Sequence, residues 1–596
     1  MTGFCSALTI NLANKEEEKT MLDPKEKHDR DVQENKDNAA GTQSRRQFLG
    51  STLGVTSTAV LAGSVGGTVF TPKAQASDFF PGSGDPSLDG ENRAEIAAQV
   101  KKQAADRQLQ HTLSLPPQLD NDDELRYRSQ NFYASFHKTL PQNDYGEVER
   151  GAYRRLQRAM RVGDPRAFDF IPLSDSADRR LANPQGAFRF EMTGLDSHAT
   201  RMPPAPSFRS ATTAAEMGEV YWQALTRDEP FIDYHSSTLI ADAVQDLNSF
   251  SATVGPTADG DVTPQTLFRG ETAGDVIGPY ISQFLLKNIP YGPSTIVQRY
   301  PLGLAGEDFM VDAANWIHVQ RGGAPQETLT FEDNHKFLFN NRALSEYVHQ
   351  DVLFQAYFNA ALILLSMGPD AVDPHNPYLG YDNQGSFTSL GGPWLLQLLT
   401  YASNLSLSGA WFQKWRVHRR LRPEVYGGRV HFHLTEGRDY EIHPDILNSD
   451  AIARAGDQNG TYFLPMAYTE GSPTHPAYPA GHATVAGACC TVLKAFFNED
   501  FILPETVQAD ATGDNLIAYD DSELTLGGEV DKLANNVSIG RDAAGVHYRS
   551  DGVDGLVVGE QQAITLLQEH VQTLNEDFEG LTLTKFDGEK ITISKD

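Results

Sequence analysis

Three short stretches in the last third of the chain place cationic and imidazole side chains in otherwise apolar sequence. They are QKWRVHRRLRPE (413–424), HPAYPAGHATVAGACC (475–490) and NVSIGRDAAGVHYRSDG (536–552). Burying several cations is unfavourable unless an anion lies among them. Arginine grips tetrahedral oxygens with two hydrogen bonds, lysine acts as a point charge, and histidine can bind a metal or move a proton. Together the stretches predict a pocket for a highly charged oxyanion.

In the first stretch, Lys414 and Arg422 are eight residues apart. That spacing is just over two helical turns, so both should lie on roughly one face of a helix that ends at Pro423. The remaining arginines would lie on other faces. For them we favour a surface or subunit-contact cluster: Arg416, Arg419 and Arg420.

The second stretch combines a turn with the start of a helix. Pro479 and Gly481 favour the turn, and the apolar run 483–497 favours a buried helix. A helix N-terminus presents unpaired N–H groups and attracts anions, and His482 lies at that terminus. Taken alone, this stretch is more typical of a packed histidine beside a turn.

The third stretch contains Arg541, His547 and Asp551. His547 and Asp551 have the i, i+4 spacing of one helical face. Arg541 lies six residues before His547 and would not share that face on an unbroken helix. We therefore expect a bend near Gly545.

The order Lys-x7-Arg-Pro, Pro-x-Gly-His, Arg-x5-His-x3-Asp resembles a superfamily of acid phosphatases, lipid phosphatases and vanadium-dependent haloperoxidases. Within it, residues 390–590 resemble the red-algal bromoperoxidases, notably in GSPTHPAYPAGHATVAGACCTVLKAFF and DKLANNVSIGRDAAGVHY. Phosphatases have six residues between the lysine and the Arg-Pro pair, and this chain has seven. Chloroperoxidases carry an aromatic residue where this chain has His475. Both differences favour bromide.

The resemblance implies vanadate as the cofactor and a role for each pocket residue. His547 would be the axial ligand of the metal, and His482 would take a proton from hydrogen peroxide. His475 would tune His482 and help to place the halide. Ala480 stands where the family has a serine, which removes one hydrogen bond to the cofactor. The vanadate oxygens would be bound by Lys414, which would also polarise the peroxide, and by Arg422, Gly481 and Arg541.

The implied activity is oxidation of bromide and iodide by hydrogen peroxide to hypohalous acid, which halogenates small organic acceptors. One alternative is an exported acid phosphatase that uses the same pocket. Another is a non-catalytic secreted shell or binding protein that assembles through the surface of Arg416, Arg419 and Arg420, which would leave the cation cluster unexplained. The resemblance also implies a large homo-oligomer with structural divalent cations. The loop 373–385 offers oxygen ligands for calcium, including Asp382 and Asn383.

The elements that must position these residues are mostly helical by their apolar periodicity. The pattern predicts helices over 92–110, 213–227, 344–367, 394–421, 483–498, 528–537 and 552–574. It also predicts a strand over 187–195, a hairpin over 581–593, and polar loops over 320–336 and 427–470. The predicted fold is mainly α, with two packed helical bundles and a few short β-hairpins.

The 596 residues carry a formal net charge of −30, which disfavours nucleic acid and anionic lipid as partners. Three cysteines, Cys5, Cys489 and Cys490, form no disulfide scaffold or zinc pattern. Residues 1–43 have the polar, charged composition of a disordered segment. The motif SRRQFLG (44–50), followed by Ala-Gln-Ala (74–76), resembles a twin-arginine export signal. We prefer this interpretation to a membrane anchor. We therefore expect a leader over 1–76, export to the periplasm or beyond, and one large helical domain over 77–596 with its active site at about 390–560.

Overall fold

The computed structural model describes residues 90–595, which are mainly helical with short two-stranded sheets. The predicted leader and export signal lie outside the described residues. The first half of the described chain contains nine α-helices: α1 (Gly90–Ser114), α2 (Asp123–Arg126), α3 (Arg150–Val162), α4 (Pro165–Phe168), α5 (Ala211–Leu225), α6 (Thr238–Leu247), α7 (Ala313–Gln320), α8 (Asn341–Gln350) and α9 (Gln355–Leu365).

The second half contains the helices that carry the three stretches. They are α10 (Gly392–Phe412), a π-helical turn (Gln413–His418), α11 (Pro423–Glu436), α12 (Pro444–Leu447), α13 (Asp450–Asn459), α14 (Gly481–Phe496), α15 (Leu526–Ala543) and α16 (Arg549–Val571). Single 3-10 turns connect several helices: Pro184–Phe188, Ser197–Ala199, Phe231–Asp233, Gln283–Leu285, Pro369–Ala371 and Pro377–Gly380.

The strands form three antiparallel hairpins: β1 (Ile289–Tyr291) with β2 (Ser294–Ile296), β3 (Val507–Ala509) with β4 (Leu516–Ala518), and β5 (Leu581–Thr584) with β6 (Lys590–Ile593). The last is the predicted terminal hairpin, and Gly588 in its turn has the expected positive φ of 87°. Among residues 90–595, no helix is long and apolar enough to cross a membrane. The structure confirms the predicted mainly α class with short hairpins.

Helix α14 lies at the centre of the second half and packs against α10, α15 and α16. Its small residues allow a close approach, because a Cβ on Gly487 would clash with the backbone of Leu556 in α16. On the other side of the contact, a Cβ on Gly559 would clash with the backbone of Thr484. The two backbones therefore touch, which fixes the N-terminus of α14 relative to the N-terminus of α16.

Several sequence predictions about the elements are wrong. The expected strand over 187–195 is a 3-10 turn followed by irregular chain, and its apolar side chains Phe190 and Met192 are 77% and 94% exposed. The expected helix over 344–367 is two helices, α8 and α9. The expected loop over 427–470 contains most of α11, all of α12 and all of α13. Gly428 lies inside α11, at a place where a Cβ would clash with Trp316.

Candidate active site

Lys414 is fully buried on the π-helical turn that follows α10. This turn is closed by a wider bond than an α-helix uses, from the Arg419 N–H to the Lys414 carbonyl at 3.0 Å. The Lys414 ammonium donates to the carbonyls of Pro476 and Ala477 at 2.8 and 2.7 Å. Burial lowers the pKa of Lys414 well below its usual value, and the charge of Arg422 lowers it further. These two hydrogen bonds connect the first stretch (413–424) to the turn in the second stretch (475–490).

Arg422 joins all three stretches. Its guanidinium donates to the carbonyl of His475 at 3.0 Å, to the carbonyl of Val546 at 2.7 Å and to Nε2 of His547 at 2.9 Å. The predicted shared helix with Lys414 is wrong, because Arg422 is the residue before α11 and Pro423 begins that helix. Proline suits the first helical position, where its missing N–H is not needed. Burial lowers the pKa of Arg422 to about 9.

The predicted bend near Gly545 is present. Helix α15 ends at Ala543, Gly545 has a φ of +80°, and α16 begins at Arg549. Arg541, in the last turn of α15, donates to the Val348 carbonyl at 2.7 Å, while its buried Nε has no hydrogen-bond partner within the described part of the chain. Burial lowers the pKa of His547, and after the break Arg541 is near enough for its charge to lower that pKa further.

His547 is held in one tautomer by its two ring contacts. Its Nδ1 lies 2.8 Å from the Asp551 carboxylate, which accepts the ring N–H, and its Nε2 lies 2.9 Å from the guanidinium of Arg422. His547 precedes α16, so the predicted common helical face with Asp551 is wrong although the contact exists. Burial and then the neighbouring cations lower the pKa of His547 well below its usual value. A neutral imidazole with its Nε2 lone pair towards the cations is the form that binds a metal.

Arg420 is a site residue that sequence reasoning placed on the surface. It is buried, and its guanidinium donates to Asp551 at 2.7 Å and to Glu216 at 2.8 Å. The surface prediction is also wrong for Arg419, which pairs with Glu124. Glu216 lies on α5, 204 positions away from Arg420, and no local spacing indicates the pair. Arg420 therefore holds Asp551, which in turn orients His547.

His482 lies in the first turn of α14, with its side chain 22% exposed. Its Nε2 donates to the carboxylate of Asp351 at 2.9 Å, which leaves Nδ1 as the proton acceptor in the neutral ring. Burial lowers the pKa of His482, although the charge of Asp351 opposes the shift. Asp351 follows α8 directly and was not identified from the sequence, because it lies 131 positions away from His482.

The turn before α14 places two backbone groups beside the cations. Ala480 caps the helix without a side-chain hydrogen bond, and its own N–H donates to the Asp551 carbonyl at 2.7 Å. Gly481 is the first helical residue, so its N–H has no acceptor within the helix. This N–H and the positive end of the helix dipole add to the anion-attracting character of the pocket.

His475 lies against the same cations. Its Nδ1 is 3.0 Å from the Arg422 guanidinium, and its ring packs on Trp411 with 4.8 Å between centroids. Burial, Lys414 and Arg422 lower the pKa of His475 well below its usual value. The imidazole is therefore neutral at physiological pH.

The pocket carries an excess of positive charge. Within residues 90–595, none of Lys414, Arg422 and Arg541 forms an ion pair with a carboxylate; their partners are carbonyls, a hydroxyl and imidazoles. Neighbouring buried arginines behave differently, because Arg420 and Arg549 are both paired with carboxylates. The three unpaired cations, the Gly481 N–H and the unpartnered Nε of Arg541 fit an oxyanion of high charge.

The loop predicted to bind calcium does not bring metal-binding side chains together in the described structure. Asp382 and Asn383 are exposed, and in the part of the chain that the structure describes no group of three or more His, Cys, Asp or Glu residues is arranged to hold a metal ion. A structural calcium ion stays a prediction of the resemblance.

Comparisons with known proteins point to one family. Residues 448–576 match the family model described as the VCPO second helical-bundle domain. The chain is 34% identical over 487 residues to a vanadium-dependent bromoperoxidase of Ascophyllum nodosum, covering 78% of this chain and 87% of that protein. It is 32% identical over 601 residues to one of Corallina pilulifera, covering 86% and 100%. The structure resembles the homohexameric second vanadate-dependent bromoperoxidase of A. nodosum, with a TM-score of 0.81 at 31% identity over 92% of this chain and 96% of that chain.

Proposed function

The chain belongs to the family of vanadium-dependent bromoperoxidases, and on that premise we propose that the pocket of Lys414, Arg422 and Arg541 binds vanadate and uses hydrogen peroxide to oxidise bromide. The observation that carries the assignment is a set of three buried cations that have no carboxylate partner among residues 90–595, beside a neutral histidine whose Nε2 contacts one of them, Arg422. A phosphate-like ion of high charge would supply the negative charge that these three cations lack as a partner.

Each group of the pocket has a distinct task towards this cofactor. The three cations and the Gly481 N–H would hold its oxygens, and Nε2 of His547 would bind the metal. When bound, vanadate supplies a Lewis acid that makes peroxide reactive towards halide without a change in the metal's oxidation state. Asp551 keeps the His547 proton on Nδ1, and Arg420 and Glu216 keep Asp551 in place.

The proton chemistry is assigned to His482 and Asp351. Overall, hydrogen peroxide, bromide and one proton give hypobromous acid and water, so one proton must enter the site in every turnover. Neutral His482 donates its Nε2–H to Asp351, so its Nδ1 can take a proton from peroxide and return it later. Asp351 stabilises the imidazolium in the interval, as its negative charge favours the protonated ring.

We also assign the halide preference to the neutral ring of His475, packed between Trp411 and Arg422. Iodide is oxidised more easily than bromide, so the same pocket should oxidise both. Chloride holds its electrons more tightly, and we expect little chloride oxidation near neutral pH. Comparing initial rates with the three halides at one pH tests this assignment, and a chloride rate equal to the bromide rate would contradict it.

The central test is the vanadium content of His547→Ala. We expect wild-type protein reconstituted with vanadate to hold one vanadium per chain, and the variant to lose it together with bromination. His570→Ala, in the last turn of α16, is the matched control and should keep both. Full vanadium content in His547→Ala would refute the metal–ligand assignment. The alternative of an acid phosphatase predicts phosphate-ester hydrolysis by vanadate-free protein and no peroxide-dependent bromination in the presence of vanadate.

Two further properties are proposed from the family and the sequence. The A. nodosum relative is homohexameric, and we propose that this chain also forms a homo-oligomer, measurable by light scattering. We propose that residues 1–76 direct export by the twin-arginine route to the periplasm or beyond. Fusion of this segment to a reporter, with Arg45 and Arg46 replaced by lysine as the control, tests that proposal.

A further inference from the structure

A cavity of about 270 Å³ opens beside the proton-transfer pair. Asp351 lines the cavity and also accepts the hydrogen bond from His482 at 2.9 Å. The Asp351 carboxylate therefore contacts the His482 imidazole, which transfers protons, and also lines the cavity.

Half of the residues that line the cavity are apolar or aromatic. They are Tyr300, Phe331, Tyr347 and Pro301. The rings of Tyr300 and Tyr347 meet edge to face with 4.8 Å between centroids. Aromatic rings prefer such neighbours, and a cavity of about 150 Å³ already holds benzene in other proteins. The space therefore suits a single-ring aromatic compound.

The charged groups of the cavity disfavour anions. Glu346 and Asp351 line it beside the uncharged Gln350 and Gln355, and no lysine or arginine is among the lining residues. The hydroxyl of Tyr347 is buried and has no hydrogen-bond partner in the described chain. A carboxylate ligand would meet two like charges, whereas a neutral hydroxyl can donate a hydrogen bond to an acceptor on the wall.

We propose that this cavity binds the organic acceptor of the reaction, and that the acceptor is a neutral phenol. The proposal rests on the bromoperoxidase function. Hypobromous acid formed beside His482 transfers bromine to the ring held there. The ring's electron pair forms the C–Br bond, the O–Br bond breaks, and the departing hydroxide takes the ring proton as water.

Binding is measured on vanadate-free protein, so that the result does not depend on turnover. Phenol and benzoate, matched in ring size and different in charge, are titrated by ligand-observed NMR. We expect phenol to bind and benzoate to bind about tenfold more weakly or not at all. Equal binding of the two, or no binding of phenol, would overturn the proposal.

Phe331→Ala is the variant that tests the location. Its side chain is 40% exposed, so truncation should leave folding intact, and we expect the Kd of phenol to rise about fivefold, as for the loss of one aromatic contact. Phe170→Ala is the matched control, because Phe170 is 71% exposed and does not line the cavity. An unchanged Kd in Phe331→Ala, or an equal rise in both variants, would contradict the assignment.

Turnover by the holoenzyme separates this proposal from the function on which it rests. We expect Phe331→Ala to raise the KM for phenol while bromide-dependent consumption of peroxide without an acceptor stays as in wild type. An unchanged KM would show that phenol reacts with hypobromous acid free in solution. A holoenzyme that consumes no peroxide would refute the bromoperoxidase function and leave the binding result standing.

Discussion

Ala480 caps the helix whose N-terminus lies beside the cations of the pocket, and it does so without a hydroxyl. A serine at this position can accept a hydrogen bond from a first-turn N–H and donate its own proton to an oxyanion. We expect Ala480→Ser to lower the Kd of vanadate about tenfold, since a hydrogen bond to a charged group contributes about 1.5–3 kcal/mol. Titration with vanadate measures the Kd, and Ala480→Gly, which lacks the hydroxyl, is the control. A serine variant with unchanged affinity would show that the missing donor is already replaced.

Arg420 supports the pocket through Asp551 without reaching the cofactor space itself. Replacing it with methionine leaves two buried carboxylates, Asp551 and Glu216, without their cation. We expect Arg420→Met to cost about 3–5 kcal/mol in the free energy of unfolding and to weaken vanadate binding. Urea denaturation and vanadium analysis measure the two effects. Arg416→Met, which removes an arginine that rests on the ring of Phe188, is the control, and an equal loss in both variants would contradict the role of Arg420.

The residues that face the pocket could be selected by type and spacing, and the structure places Lys414 and Arg422 in contact with residues of the second and third stretches. The residues that position these pocket residues could not be selected from the sequence. Asp351 and Glu216 are acidic residues on distant helices or their ends, and nothing in their local sequence distinguishes them from other surface acids. Their function depends on a contact that exists only after the helices have packed.

The break between α15 and α16 separates Arg541, at the end of one helix, from His547, which precedes the next. Gly545 makes the break with a φ of +80°, and a Cβ there would lie 2.9 Å from the sulfur of Met466. We expect Gly545→Ala to destabilise the protein by about 1–3 kcal/mol and to raise the Kd of vanadate, because strain at this position moves His547.

The control for this variant is Gly437→Ala. Gly437 follows α11 with a φ of +62°, and its missing Cβ has open space around it. The control carries the same kind of backbone strain without the clash, so it should lose stability and keep its vanadate affinity. If both variants bind vanadate as tightly as wild type, the geometry of the break does not set the position of His547.

Helices with a clear apolar face could be predicted to within a few residues, as for α14 and α16. The exact ends of the helices could not be predicted from the sequence. Pro423 was taken as the end of a helix and begins one, because a proline fits the first turn of a helix as well as the position after its last. The π-helical turn at Lys414 could not be recognised from the sequence, because its residue pattern is compatible with an ordinary α-helix.

At the scale of the whole molecule, the net charge of −30 has a consequence for stability. Like charges repel in the compact state, and salt screens them as the Debye length falls from about 30 Å at 0.01 M to about 10 Å at 0.1 M. We expect the Tm to rise by about 2 °C or more over this range of sodium chloride. Sucrose of equal osmolality is the control for general exclusion from the surface. A Tm that is flat or falls with salt would show that the ion pairs of the protein outweigh its repulsion.

The burial of Cys489 and Cys490 inside α14 protects the protein from its own product. Hypobromous acid oxidises sulfur, and thiols react fastest as thiolates. Both cysteines are fully buried, and burial raises the pKa of each thiol, so almost no thiolate is exposed to the oxidant that forms a few turns away. Met217, Met310 and Met466 are equally enclosed, whereas Met192 is 94% exposed. Oxidative ageing of the working enzyme should therefore begin at the surface with Met192, and the sulfur atoms of the core should outlast many turnovers.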